Sequence, residues 1–170
     1  MVIENKYENW KDIPWNKIKL EIYNLQYKIY CHAKKDNIGL IRYCQRKLVK
    51  LLEAKFLVVK FITQDNRGKV TPGVDGVKSL KPVERIRLAY KLRFDGKASK
   101  IRRVFISKSN GELRPLGIPT MEDRAKQMLM KLALEPEWEA RFETNSYGFR
   151  PGYSVADAKW CIARQLQGGL

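Results

Sequence analysis

The sequence predicts a β-hairpin most clearly at residues 101–120, IRRVFISKSNGELRPLGIPT. The Asn-Gly pair at 110–111 stands between two short apolar-rich runs, which is the preferred sequence of a two-residue type I′ turn. The stretch therefore predicts a β-hairpin over about 101–118. In the register set by this turn, Ser109 faces Glu112 across the hairpin.

The predicted hairpin is basic on both of its faces. Because side chains alternate along a strand, this register directs Arg102 and Lys108 to one face. Arg103 and Arg114 are expected on the other face. Pro115 has no N–H to give to a ladder, so its strand is expected to present that position at an edge.

The chain as a whole is also strongly basic. It carries 34 Lys and Arg against 18 Asp and Glu in 170 residues, a formal net charge of +16, and its 44% apolar content is enough for a packed core. A polyanionic partner is the simplest explanation of this charge, with nucleic acid favoured and a membrane surface as the alternative. The sequence has no run of 18 apolar residues, and neither a membrane span nor a signal peptide is expected.

Cysteine and histidine usage argues against a metal site. Cys31, Cys44 and Cys161 are widely spaced and form no CxxC pair, so neither a disulfide framework nor a thiolate zinc site is expected. The single histidine, His32, is interpreted as structural.

Two apolar stripes with helical spacing precede the hairpin. The first predicts an amphipathic helix over 15–34, and the second predicts a longer helix over about 38–63. Turn formers at Asp36, Asn37 and Gly39 predict that the two helices pack as a helical hairpin. The stripes consist of Trp15, Ile18, Ile22, Leu25 and Ile29, and of Cys44, Leu48, Leu52, Phe56 and Val59.

The rest of the chain alternates between loops and helices. Residues 64–76, QDNRGKVTPGVDG, are rich in turn formers and predict a loop, whereas 82–94 predict a helix. Thr120, followed by an aspartate three residues later, predicts a capped helix that Pro136 is expected to end or kink. A last loop and a last helix are expected at 145–154 and 154–167. The predicted fold class is α+β and mostly helical.

Several segments, taken in order, resemble the parts of one protein family. The run RRVFISKSNGELRPLGIPTMEDRAKQ is followed by NSYGFRPGYSVADA, and WKDIPWNKIKLEIYNLQYKIY and VTPGVDG precede both. Together they resemble the reverse transcriptases encoded by group II introns, also called maturases, over nearly the whole chain. The resemblance implies an N-terminal helical extension over 1–63, a template-contacting loop over 64–81, and the fingers portion of a reverse transcriptase domain over 82–170.

The resemblance implies roles for the hairpin cations. In the family, the first arginine of the hairpin and the lysine before its turn bind the triphosphate of the incoming nucleotide, and these positions are Arg102 and Lys108. They lie six residues apart along a strand, roughly 20 Å, which two long side chains and a triphosphate would span. Arg103 and Arg114 are assigned to template RNA, with a solvated charge as the alternative for each.

Two loops are expected to contact RNA. The VTPGVDG loop resembles the family's template-contacting loop, whose glycines let the backbone approach phosphates, and its predicted RNA-binding residues are Gly73, Val74, Asp75 and Gly76. The SYGFRPG loop resembles the segment that lies against the template, and its predicted RNA-binding residues are Phe149, Arg150, Pro151 and Gly152. Phe149 is expected to pack on a nucleotide, or alternatively to anchor the core, and Arg150 is expected to contact a phosphate.

The catalytic aspartates of the family fall beyond Leu170. A polymerase palm holds two divalent metal ions with carboxylates, and the family supplies these after the GFRPG segment and in a YADD-type turn. No catalytic residue, metal site or cofactor is therefore predicted here; Mg²⁺ is expected only with the palm, and this chain alone is expected to be inactive. The predicted function is RNA and nucleotide binding within an enzyme for RNA-directed DNA synthesis and intron splicing.

The main alternative is a remnant of such an enzyme, kept as a structural RNA-binding subunit of a ribonucleoprotein. A DNA-binding regulator is less favoured, because no recognition helix is found. The expected partners are intron RNA or another structured RNA, a dNTP once a palm completes the site, and other ribonucleoprotein subunits, but no membrane. The expected location is the bacterial cytoplasm or an organellar matrix or stroma, in a mitochondrion or chloroplast.

Overall fold

The computed structural model describes residues 6–167, which form a mostly helical α+β fold, as predicted. The outer ends of the first and third predicted regions, residues 1–5 and 168–170, lie outside the described residues. The helices are α1 (Trp15–Lys34), α2 (Ile38–Lys50), α3 (Leu52–Lys60), α4 (Pro82–Lys91), α5 (Met121–Arg141) and α6 (Val155–Gln167). The strands β1 (Arg102–Ser107) and β2 (Leu113–Ile118) form one antiparallel sheet.

The hydrophobic core lies where α1, α2, α3 and α5 meet. The predicted stripe of α1 is buried through Ile18, Ile22 and Ile29, and the helix packs against α2 and α5. Asn37 caps the start of α2 by accepting a hydrogen bond from the Leu40 N–H, which completes the predicted helical hairpin. The core therefore joins the first helices of the chain to α5, which lies about a hundred residues later.

The second predicted helix is interrupted, so the prediction of one helix over 38–63 is wrong. Leu51 has an extended backbone (φ −63°, ψ 126°) that ends α2, and α3 begins at the next residue. The apolar stripe continues through both helices, and neither Gly nor Pro marks the break. Most side chains of α3 are buried, including Ala54, Phe56, Val58 and Val59.

Pro136 was expected to end or kink α5, and it does not end the helix, which continues to Arg141. Proline has no N–H, and the carbonyl oxygen of Leu132, four residues earlier, consequently loses its helical partner. The Gln26 side-chain amide of α1 donates to that oxygen instead, at 2.9 Å. A hydrogen bond from another helix thus replaces the one that proline removes.

The β-hairpin forms where predicted, but its register differs by one residue. Ser107 pairs with Leu113, and the Lys108 N–H donates to the Glu112 carbonyl oxygen at 2.8 Å. The loop therefore has three residues, with Gly111 at φ +81°, as in a type I turn followed by a G1 bulge. The predicted pairing of Ser109 with Glu112 is wrong because the Asn-Gly pair occupies this longer loop.

The corrected register explains the place of Pro115. Hydrogen-bonded and non-hydrogen-bonded pairs alternate along an antiparallel ladder. Counting from the bonded pair of Lys108 and Glu112 makes Phe105 and Pro115 a non-hydrogen-bonded pair. The missing N–H of Pro115 therefore faces outward from an edge strand, as predicted.

The remaining elements follow the sequence closely. Helices α4 and α6 occupy most of the predicted ranges 82–94 and 154–167. Thr120 caps α5 by accepting a hydrogen bond from the Asp123 N–H at 3.2 Å, as the capping pattern predicts. Within residues 6–167, none of the helices has the length and hydropathy that crossing a membrane requires.

Candidate nucleic-acid interface

The corrected register gathers three cations on one face of the hairpin. Ile106 of β1 pairs with Arg114 of β2, so these two side chains share the face that also carries Arg102. Lys108 continues the same alternation just beyond β1. The prediction that Arg114 projects from the opposite face is therefore wrong. Of the two arginines predicted for that face, only Arg103 lies on it.

The hairpin cations differ in whether a carboxylate lies close to them. Within the described part of the chain, none of Arg102, Arg103 and Arg114 lies within ion-pair distance of a carboxylate. Lys108 differs, because its Nζ lies 2.7 Å from the Glu112 carboxylate. This hydrogen bond lowers the pKa of Glu112. The pair is exposed and contributes little to stability, so a phosphate can compete for Lys108.

The hairpin presents its side chains to solvent and not to the core. Phe105 and Leu113 on one face and Ile106 on the other are all exposed. An isolated two-stranded hairpin is only marginally stable in water, so this one is well suited to adjust to a ligand or partner. The apolar side chains between the cations give it an amphipathic surface.

The VTPGVDG loop divides into an inner and an outer part. A Cβ at Gly73 would lie 2.8 Å from the Pro119 carbonyl oxygen, so this glycine is required by close packing against the chain before α5. Val74, Asp75 and Gly76 are exposed, and Gly76 has φ +69° with open space around it. Only the outer three of the four predicted RNA-binding residues are accessible to a ligand.

Arg124 holds this loop in place and was missed by sequence reasoning. Its guanidinium donates to three carbonyl oxygens, those of Pro119 at 2.9 Å, Gly68 at 2.9 Å and Thr71 at 2.7 Å. The side chain therefore ties the loop to the chain that joins the hairpin to α5. Arg124 lies in the first turn of α5, where a positive charge interacts unfavourably with the helix dipole. This unfavourable position is the sequence signal that could have identified Arg124.

A second cationic surface, also missed, lies on α2. The helix carries four cations and no acidic residue. Arg42, Arg46 and Lys50 recur at every fourth position, which places them along one stripe. They line a groove of about 260 Å³ whose other wall includes Met130 and Leu134 of α5. The periodic cations were visible in the sequence, whereas the groove depends on how α2 packs against α5.

The SYGFRPG loop is organised around Arg150. The guanidinium forms hydrogen bonds with both carboxylate oxygens of Glu139 on α5, at 3.0–3.2 Å, and this interaction raises the pKa of Arg150. It also donates to the carbonyl oxygens of Glu143 and Ser146, at 3.0 and 2.7 Å. A phosphate contact through Arg150, as predicted, would have to replace some of these bonds.

Phe149 is the most exposed aromatic residue of this loop. Its side chain is fully accessible to solvent, and its backbone has φ +61°, which is uncommon for a residue with a Cβ. Pro151 and Gly152 complete the adjoining turn, in which the Tyr153 N–H donates to the Arg150 carbonyl oxygen at 3.4 Å. All three predicted residues around Arg150 are exposed.

Comparisons with known proteins give these surfaces a context. A family model described as the N-terminal domain of reverse transcriptase matches residues 10–92. Protein YkfC of Escherichia coli is 47% identical over 113 residues, 62% of this chain and 29% of that protein. The group II intron-encoded protein LtrA of Lactococcus lactis is 36% identical over 107 residues, 61% of this chain and 18% of that protein.

A third relative extends the likeness along most of the chain. Maturase-like protein 1 of Euglena gracilis is 31% identical over 159 residues, which are 88% of this chain and 34% of that protein. Together these matches support the identification of the chain as a group II intron reverse transcriptase/maturase N-terminal region. The chain spans about a third or less of the length of these relatives.

The matched domain of this reverse transcriptase/maturase chain ends at residue 92, before the hairpin. The roles predicted for the hairpin cations and for the SYGFRPG loop consequently stay predictions. Among the described residues, no group of three or more His, Cys, Asp and Glu side chains is arranged to hold a metal ion.

Proposed function

We propose that this chain is the RNA-binding and nucleotide-binding part of a group II intron reverse transcriptase/maturase. The complete protein would perform RNA-directed DNA synthesis and assist intron splicing. The observation that supports this most directly is the hairpin face of Arg102, Lys108 and Arg114, since its arginines have no carboxylate partner among residues 6–167. Three cations on one amphipathic face suit a polyanionic ligand.

The incoming nucleotide is the ligand proposed for this face. A triphosphate offers several anionic oxygens, and arginine binds such groups through paired hydrogen bonds. The family assigns Arg102 and Lys108 to the triphosphate, and the observed register supports adding Arg114 to them. Mg²⁺ would enter with the carboxylates of the palm, outside this chain.

Template and intron RNA are proposed to bind the surfaces around this face. Arg103 lies on the opposite side of the hairpin, and Val74, Asp75 and Gly76 form the accessible part of the neighbouring loop. The cationic stripe of α2 adds a surface for phosphates. The net charge of +16 of the whole chain would attract RNA to the protein. The proposed location is the bacterial cytoplasm or an organellar matrix or stroma.

Single alanine substitutions in the hairpin test this assignment. In a protein that joins this chain to its catalytic palm, Arg102→Ala, Lys108→Ala and Arg114→Ala are expected to raise KM for the nucleotide at least tenfold, because each removes a charge-assisted contact worth about 1.5–3 kcal/mol. RNA affinity should change less. Arg103→Ala is the matched control on the other face, and it should weaken RNA binding more than nucleotide use.

The outcome also tests the second candidate function, a structural RNA-binding subunit of a ribonucleoprotein. That candidate is favoured by the cationic surface on α2, which lies apart from the hairpin. If all four hairpin variants lose RNA affinity equally and nucleotide use does not separate them, the nucleotide assignment is wrong. The hairpin would then be a general RNA-binding element.

A further inference from the structure

The Arg150 guanidinium is enclosed by the loop that it belongs to. Its side chain is only 8% exposed. Two aromatic rings lie close to it: the guanidinium carbon is 5.3 Å from the centre of the Phe142 ring and 4.7 Å from that of the Tyr153 ring. These contacts come in addition to the hydrogen bonds with Glu139, Glu143 and Ser146. Most of the donors of Arg150 are therefore used within the protein.

Glu139 makes this arrangement rigid, because it lies on α5 and not in the loop. Both of its carboxylate oxygens accept hydrogen bonds from Arg150, and a paired contact of this kind fixes direction as well as distance. The two carbonyl groups that accept from Arg150 belong to the start of the loop. Arg150 thus links both ends of the loop to the C-terminal half of α5.

Phe149 is held in an unusual conformation directly beside this link. A phenylalanine at φ +61° is strained, and such backbone strain persists only where the surroundings impose it. The ring is completely exposed and touches none of the core. An exposed aromatic ring on a rigid, basic protein is a stacking surface for an unpaired nucleobase, since every base has a π face.

We infer that Arg150 is a positioning residue and not an RNA ligand: its bonds to Glu139 and to the loop carbonyls hold Phe149 out to stack on an unpaired base of the RNA. The inference rests on the proposed RNA-binding function. It keeps the nucleotide contact that the sequence predicts for Phe149, but it replaces the predicted phosphate contact of Arg150 with a supporting role for Arg150 and Glu139.

The charge of Glu139 provides the sharpest test. Removing a carboxylate near a polyanion should strengthen RNA binding if electrostatics alone decide it. If Glu139 positions the loop, Glu139→Gln should instead weaken binding of the 170-residue chain to a single-stranded RNA oligonucleotide several-fold. The double variant Glu139→Gln/Arg150→Gln should bind no worse than Arg150→Gln alone, because both substitutions break the same interaction.

Salt dependence separates a phosphate ligand from a positioning residue. Loss of one phosphate contact reduces the slope of log K against log salt by about 0.7 for a single strand. Arg150→Lys keeps the charge but not the paired geometry, and it is expected to bind as weakly as Arg150→Gln with the wild-type slope. Phe149→Ala should weaken binding roughly 5- to 150-fold, also without a change of slope, whereas Phe149→Trp should retain affinity.

Hydrogen exchange tests the positioning role without RNA. Amides of residues 144–153 should exchange faster in Glu139→Gln and Arg150→Lys, whereas those of α5 should keep their protection. Unchanged exchange in these variants would overturn the inference, as would a slope that falls in Arg150→Gln or an affinity that Phe149→Ala leaves intact. Failure of the wild-type chain to bind any RNA, with faster exchange in both variants, would reject the proposed function and leave the positioning role standing.

Discussion

At the scale of single residues, the glycines of the VTPGVDG loop have different reasons for being glycine. At Gly76 the backbone has a positive φ in open space, which leaves the position accessible to a ligand. At Gly73 the constraint comes from inside the protein, because the backbone of Pro119 and Thr120 occupies the space of a side chain. Gly73 is therefore expected to contribute to stability, and Gly76 to RNA binding. Measuring stability in the absence of RNA distinguishes the two contributions.

Gly73→Ala is expected to destabilise the chain by about 1–3 kcal/mol, because the new Cβ would lie 2.8–2.9 Å from three backbone atoms that can move only together. For a chain of this size, the midpoint of thermal unfolding should fall by about 2–12 °C. Calorimetry in the absence of RNA provides the measurement. The matched control is Gly148→Ala, since no heavy atom lies within 4 Å of its Cβ position. An unchanged midpoint in Gly73→Ala would show that the loop adjusts freely.

At the scale of elements, α1 and α5 are linked by one specific hydrogen bond. Gln26→Leu removes the donor to the Leu132 carbonyl oxygen and should cost about 1–3 kcal/mol, because Pro136 offers no N–H in its place. Pro136→Ala restores that N–H. In the Pro136→Ala background, Gln26→Leu is therefore expected to cost clearly less.

Urea unfolding of the four proteins in this cycle gives the interaction energy directly. A Gln26→Leu cost that is the same in both backgrounds would mean that the Leu132 carbonyl oxygen finds another partner, such as water. The cycle therefore tests the replacement of a helical hydrogen bond and not merely the packing of Gln26.

The elements also show how far the sequence could predict the structure. Apolar stripes located α1 and α2, and the Asn-Gly pair located the hairpin, because these signals are local. The break at Leu51 has no local signal, since the apolar stripe runs through it. The register at Gly111 depends on a choice between a two-residue and a three-residue loop that the same Asn-Gly pair allows, and it decides which face carries Arg114.

In the candidate site, too, only local features could be predicted. The cations of the hairpin were found from the sequence, but which of them share a face depends on the strand register. Arg150 was found as a candidate, but its partner Glu139 comes from a different element and could not be identified from spacing. Arg124 bonds only to backbone carbonyl groups, and such acceptors have no sequence signal of their own.

At the scale of the whole molecule, the hydrophobic core includes residues from both sides of the predicted boundary at residue 63. Helix α5 packs against α1, α2 and α3, so the N-terminal helices bury their apolar faces partly against residues 121–141. That boundary stays a prediction about functional regions. The region 10–92 that matches the reverse transcriptase domain model contains only part of this core.

A fragment of residues 1–92 is therefore expected to lose cooperative unfolding, because the surfaces of α1–α3 that α5 covers would face water. Circular dichroism during urea titration should show helical signal without a sharp transition, accompanied by binding of a hydrophobic dye. A fragment of residues 1–144 is the matched control: it keeps α5 and omits α6, which has no buried side chain among the described residues. A sharp transition in the shorter fragment would show that α1–α4 fold without α5.

The packing of α1 against α5 also has a consequence for synthesis on the ribosome. Helix α1 leaves the exit tunnel before α5, one of its two main partners, which follows only after about a hundred further residues, or roughly 5–20 s of translation. During this interval the apolar stripe of Ile18, Ile22 and Ile29 lacks that partner. The nascent chain is consequently a target for chaperones that bind apolar segments, and slower translation before residue 141 would lengthen its exposure to aggregation.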